Sequence, residues 1–266
     1  MRNLYNIFLA LALAVASFFN SNASDARNLY DKGEYAPAAE EYLKIAGSEG
    51  TSAQLYYNLA NCYAQMGDIG RAMLYYSRAA GLDPSDKQIR NNLNYFASKV
   101  EDSNRAELRG KKINVSPDPE TFFTTAYRLI AKEVNSNTWA FWSAFLFIVF
   151  LGCVAAYLFC NNILLRKTGF FGGIILFCFS LMFLIFAFMS ADAHSSHDEA
   201  VLMAYKSELL IEPSSDAKPA TNQLCQGTLL EIVAEETGVD GAPSWYKVRL
   251  NSEIEGWIKA GQIEII

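Results

Sequence analysis

Two long stretches without charge constrain this chain more than anything else in it. Residues 139–160 and 170–189 contain no Asp, Glu, Lys or Arg. About 20 residues at roughly 1.5 Å rise cross a hydrocarbon core of about 30 Å, so each run reads as a membrane-spanning helix. A pair of buried core helices is the alternative, but one soluble core seldom encloses two uninterrupted runs of this length and aromatic content. The stretch between them, 161–169, is too short for a domain and reads as a tight loop joining two antiparallel helices. Arg166 and Lys167 are its only charges. Short loops bearing Lys or Arg stay on the cytoplasmic side, so both flanking regions are predicted to lie outside. Trp139, Phe141 and Trp142 crowd the outer end of the first run, which suits an interfacial aromatic belt.

Setting the hairpin aside leaves roughly 115 residues before it and about 70 after it, the size of two small extramembrane domains. Residues 1–23 carry Arg2, an apolar core from Ile7 to Phe19, and small residues at Ser21 and Ala23. That pattern predicts a secretory signal cut after Ala23, with an uncleaved anchor as the alternative. Either form delivers the next segment across the membrane, in agreement with the loop charges.

The formal charge of −6 comes without a clustered basic face, which gives no support to nucleic acid as a partner, and none is expected. Of the five cysteines, Cys153, Cys160 and Cys178 fall in the apolar runs. Cys62 and Cys225 could join in an oxidising space, but Cys62 falls where a helical repeat wants a small buried side chain. His194 and His197 stand near Asp192, Asp198 and Glu199, yet their spacing fits no closed metal site. The chain has no Gly-rich phosphate loop, no His-Glu-x-x-His and no Gly-x-Ser-x-Gly. The expectation is a non-enzyme with no cofactor and no metal.

Residues 24–95 repeat themselves. Gly33 and Gly67, Ala38 and Ala72, Tyr42 and Tyr76, and Ala26 and Ala60 are each 34 apart, a period of helix-turn-helix arrays. The second copy, with Tyr56, Leu59, Ala60, Tyr63, Gly67, Ala72, Tyr76, Ala79 and Pro84, resembles the tetratricopeptide repeat at nearly every signature position. Small Ala60 and Ala72 let two helices approach, Gly67 ends the first and Pro84 closes the second. The first copy is weaker, with Ile45 and then 47–50 in place of the closing residues. Residues 87–100, with Ile89, Leu93 and Phe96 on one face, read as a helix capping the open end. Arg27, Asn61 and Tyr95 share one repeat position, and Tyr57 and Asn91 share another. By resemblance these five line a groove that receives an extended peptide or a partner helix; the alternative is an ordinary solvated face.

Residues 101–119 turn charged and then proline-containing, and read as a linker. Residues 118–134 follow with Phe122, Phe123, Tyr127, Leu129 and Ile130 beside Arg128 and Lys132. They predict a short helix at the membrane surface or packed on the repeats.

From Ala200 the pattern becomes short apolar alternations at 200–204, 208–211, 228–233, 245–250, 256–258 and 263–266, which predict a small barrel. The segments 227–232, 245–248 and 256–258, with their Trp-x-x-Val and Gly-Trp-Ile steps, resemble the bacterial SH3-like domain. Gly256 reads there as a tight turn, after which Trp257 lands against the barrel. Trp245, Tyr246 and Trp257 are the candidate surface, with core or rim packing as the alternative role for the two tryptophans. The loop 206–223 would bound a binding groove.

The expected fold is thus a multi-domain membrane protein. It comprises a signal peptide (1–23), an all-α tetratricopeptide solenoid with its capping helix (24–100), and a linker with a juxtamembrane helix (101–138). A two-helix transmembrane hairpin follows (139–160 and 170–190 about a cytoplasmic loop, 161–169), and then an all-β SH3-like barrel (199–266). This order resembles the BatE-type proteins of bacterial aerotolerance operons. The resemblance implies an inner-membrane scaffold or adaptor whose two large domains are periplasmic. It also implies partners among von Willebrand A domain proteins and a MoxR-type ATPase system, with a role in aerotolerance or envelope stress. The alternative is a cell-wall-binding envelope sensor or anchor acting through the barrel.

Overall fold

The computed structural model of the protein describes residues 24–107, 119, 121–195, 198–221, 223–238 and 241–266. The expected signal peptide, most of the linker and the side chains of the histidine pair lie outside these residues. The chain divides into two compact units, the first holding the repeats and the carboxy-terminal sheet, the second holding the apolar hairpin.

In the first unit, helix α1 (24–31) and α2 (Tyr35–Glu49) form one pair, and α3 (Ala53–Met66) and α4 (Ile69–Leu82) a second. The 34-residue period is visible in the turns. Gly33 and Gly67 take φ of 81° and 77°, a left-handed conformation that costs glycine nothing. Each closes its helix with the same two bonds. Gly33 N–H donates to Tyr30 O and Glu34 N–H to Leu29 O, as Gly67 N–H does to Ala64 O and Asp68 N–H to Tyr63 O. Ala26, Ala38, Ala60 and Ala72 are fully buried, with Tyr42 and Tyr76 beside them. The weaker first copy therefore forms the same helix pair as the second, because the turn glycine and the small contact residues are present in both.

Helix α5 (Lys87–Glu107) opens on Asp86, whose carboxylate accepts from Gln88 N–H at 2.7 Å and Ile89 N–H at 3.3 Å. It runs seven residues past the predicted end at 100. Nothing from Glu101 to Glu107 breaks a helix, and Arg105 pairs with Glu101 one turn back. The first part of the expected linker is thus helix.

The carboxy-terminal segment is an antiparallel sheet in the order β6-β5-β4-β1-β7: β1 (Glu199–Leu202), β4 (Leu229–Thr237), β5 (Pro243–Arg249), β6 (Glu255–Lys259) and β7 (Ile263–Ile265). A short pair, β2 (Lys206–Ser207) and β3 (Leu224–Cys225), stands apart from it. The strand expected at 208–211 is not a ladder strand. Leu210 alone bridges, exchanging both backbone bonds with Trp257 at 2.8 and 2.7 Å, before Pro213 and the following serines turn the chain. Gly256 is not a turn residue either; it sits within β6 opposite Val248. A Cβ there would lie 2.8 Å from the Leu209 Cβ and 2.9 Å from the Leu210 carbonyl oxygen, so glycine is needed for the close approach of 209–210.

Strand β1 is buried on both faces. Ala200 and Leu202 join the sheet core with Leu209, Leu230, Val248 and Ile258. Val201 points the other way into a second cluster with Met73 and Leu74 of α4 and Val100 of α5. Repeats and sheet therefore share a core, sealed by buried polar bonds. Asn104, 3% exposed, accepts from Cys225 N–H at 2.7 Å and donates to Thr228 Oγ1 at 2.9 Å. Arg78 donates to the Ile265 carbonyl at 2.8 Å. Gly227, at φ 87°, lies against Ile69, Met73 and Val100.

The second unit is built on α7 (Ser136–Phe159) and α8 (Ile163–Ser195), preceded by α6 (Phe122–Tyr127) and a π-helical turn (Arg128–Lys132). Both long helices are long and apolar enough to cross a membrane, with mean hydropathy 2.2 and 2.6 in their most apolar windows. The predicted loop 161–169 narrows to Asn161 and Asn162. Asn162 caps α8 by accepting from Leu164 N–H at 2.9 Å, and no residue from Ile163 to Gly169 interrupts a helix. Midway, Ser143 Oγ donates to Ser180 O at 2.9 Å and Ser180 Oγ donates back to Ser143 O at 3.0 Å. Trp139 is turned inward rather than outward, donating to Ile130 O and packing on Phe183 and Phe186; Phe141 and Trp142 are exposed.

Candidate protein-binding surface

The five groove candidates stand on α1, α3 and α5. One helical turn separates Tyr57 from Asn61 on α3, and α5 brings Asn92 between them. Asn92 Nδ2 lies 3.2 Å from the Tyr57 hydroxyl, 3.4 Å from the Tyr76 hydroxyl and 3.5 Å from Asn61 Oδ1. The Tyr76 hydroxyl donates to Asn61 Oδ1. Burial pushes the Tyr76 phenol well above its ordinary range and the Tyr42 phenol up to about 12, so both stay protonated donors.

The five groove candidates separate into two sets. Tyr57 and Asn61 are half-buried and tied into this network, so they hold the wall in shape. Arg27, Asn91 and Tyr95 are exposed, Tyr95 at 62% with its ring edge-on to Phe96. Contacts to the sheet run through Met73, Leu74, Arg78, Val100 and Asn104 instead. Asn92 was not among the sequence candidates, although it stands 34 residues from Asn58 on the repeat lattice. Hydroxyls and carboxamides of this kind donate to and accept from a peptide backbone.

On the sheet, the two-residue period decides. Trp245 pairs with Lys259 and Lys247 with Trp257, so both tryptophans lie on one face of β5 and β6. Tyr246, one residue on, packs against the sheet core. The Lys259 ammonium sits 5.6 Å from the Trp245 ring. Both residues line a pocket of about 190 Å³ with Ser207, Glu208, Leu210 and Ser215 of the 206–223 loop. On the hairpin, Arg166 and Lys167 are exposed, and the Arg166 guanidinium lies 5.4 Å over the Tyr157 ring. Among the described residues no group of three or more His, Cys, Asp or Glu is placed to hold a metal ion. Cys62 and Cys225 are free thiols, and burial pushes Cys62 up to about 11.

Residues 53–86, covering α3 and α4, match the tetratricopeptide repeat family. The chain thus contains a protein-interaction module of a non-catalytic fold, beside two helices able to cross a membrane. No curated protein matches the chain.

Proposed function

We propose that the chain is a non-enzymatic scaffold or adaptor of a bacterial inner membrane, presenting the repeats and an SH3-like domain on the extracytoplasmic side. The tetratricopeptide match carries this reading, because such repeats act by presenting a wall to a protein partner. The shared core supports the topology. Segments before and after the hairpin form one unit, so they lie on one side of any bilayer that the hairpin crosses, as two spans require. Arg166 and Lys167 at the bend make that side extracytoplasmic. Only 6% and 17% of the most apolar windows are buried, as suits helices facing lipid.

The order of segments resembles BatE-type proteins, which makes membrane proteins of an aerotolerance operon, von Willebrand A domain proteins and a MoxR-type ATPase system, the candidate partners. In-cell crosslinking from position 27, an exposed groove candidate that the variant below leaves unchanged, tests this. We expect capture of envelope proteins that is lost in an Asn91→Ala/Tyr95→Ala variant; equal capture by that variant would remove the groove from the account.

A second reading rests on the pocket beside Trp245 and Lys259: the sheet holds cell-wall peptide and the chain acts as an envelope sensor or anchor. Co-sedimentation with purified wall, abolished by Trp245→Ala, decides it.

A further inference from the structure

The bend of the hairpin carries an open pocket of about 310 Å³, lined by the exposed side chains of Tyr157 from α7 and of Ile163, Arg166, Lys167, Phe170 and Phe171 from α8. That size stands at the lower end of small-ligand sites, roughly 300–1,000 Å³. We propose that it binds the phosphate headgroup of an anionic phospholipid, a reading that rests on the hairpin spanning a bilayer.

The first argument is charge. Arg166 and Lys167 stand side by side at the pocket, and neither makes an ion pair among the described residues. The sequence supplies no neighbour to neutralise them, for no Asp or Glu occurs between Glu133 and Asp192. Cations at the end of a membrane helix seek an anion at the interface, and basic pockets between helices on the cytoplasmic side take lipid headgroups. Both belong to the first turns of α8, a 33-residue helix whose amino-terminal dipole adds to the same positive field.

The second argument is shape. The guanidinium rests over the Tyr157 ring at 5.4 Å, which holds one cation at the pocket wall instead of letting it extend into water. Phe170 and Phe171 are edge-to-face at 5.3 Å and give the remaining wall an apolar surface suited to the glycerol and upper acyl region of a lipid. A free inorganic phosphate would satisfy the cations but make no use of those aromatic walls.

The test uses the full chain in nanodiscs of phosphatidylcholine containing a minor share of phosphatidylglycerol, with lipids retained after release counted by native mass spectrometry. We expect phosphatidylglycerol to be enriched about tenfold over its share. Arg166→Gln/Lys167→Gln should bring the ratio to unity. Phe171→Trp, which fills the pocket and keeps both cations, should cut the enrichment several-fold. Undiminished enrichment in Phe171→Trp would reduce the site to bare charge and overturn the pocket. Full displacement by an equal concentration of inorganic phosphate would assign the site to the free anion and overturn the lipid. A chain that enters the discs without enriching phosphatidylglycerol overturns this proposal alone; one that does not enter them overturns the spanning reading as well.

Discussion

Two seams of the molecule are made differently, one between repeats and sheet and one between the consecutive helices α7 and α8. Between repeats and sheet, Val201, Met73, Leu74 and Val100 exclude water, and polar groups such as Asn104 and Arg78 seal the edges. Between α7 and α8 there is little burial to gain. Small residues bring the helices together: a Cβ on Gly169 would lie 2.9 Å from the Cys153 carbonyl oxygen, and Ser143 and Ser180 exchange hydrogen bonds. The difference is what the proposed bilayer setting of the hairpin would dictate. Apolar burial drives association in water, but lipid tails are as apolar as the side chains they would replace, leaving packing and hydrogen bonds.

Breaking the first seam should have the largest effect. Val201→Asp puts an unpaired carboxylate between two cores, at a cost of about 4 kcal/mol or more. The readout is Cys62, fully buried in the repeat core with a thiol pushed up to about 11. Its alkylation at neutral pH should be negligible in the parent and fast in the variant. Slow alkylation in both would mean that repeats and sheet fold independently. Next comes Asn104→Leu, which strips Cys225 N–H of its acceptor inside the seam and should cost about 1–3 kcal/mol in denaturant unfolding.

The second seam should respond more weakly. A double-mutant cycle of Ser143→Ala and Ser180→Ala should give a coupling of about 0.6 kcal/mol. A coupling as large as that of the Asn104 bonds would erase the contrast. The smallest effect is on pH. Hydrogen bonds from Lys247 and then Arg249 hold the Glu255 carboxyl below its usual range. A carboxylate depressed in the folded state adds stability above its unfolded pKa of about 4.3, and loses it as pH falls through the folded value. Thermal melts of Glu255→Gln should thus show a flatter acid limb than the parent, with a small loss of stability at pH 7 that vanishes in acid.

Much of the architecture was legible in residues 24–95 and 139–189, because each rests on a local period or on simple composition. The repeat positions of the groove candidates were legible, but not the surroundings of each side chain. Position alone does not tell that Asn61 is spent on Tyr76 and Asn92 while Asn91 and Tyr95 face solvent. The tryptophan face was half legible. Trp245 and Trp257 share a side, and Tyr246 could have been assigned to the other by the two-residue period. The short strand β3 and the helical extension to Glu107 left no strong signal, since two-residue strands and charged helix ends read as loop.

By itself the sequence determined the hairpin and the helix pairs: uncharged runs of that length suit a bilayer, and glycine is favoured in a left-handed turn every 34 residues. Only the tertiary structure decided that the sheet closes onto α4 and α5, that β1 is buried on both sides, and that a buried asparagine helps to lock the two halves. Those choices join residues 120 and more positions apart, such as Asn104 with Cys225 and Thr228, and contacts so distant obey shape complementarity, which no local period records.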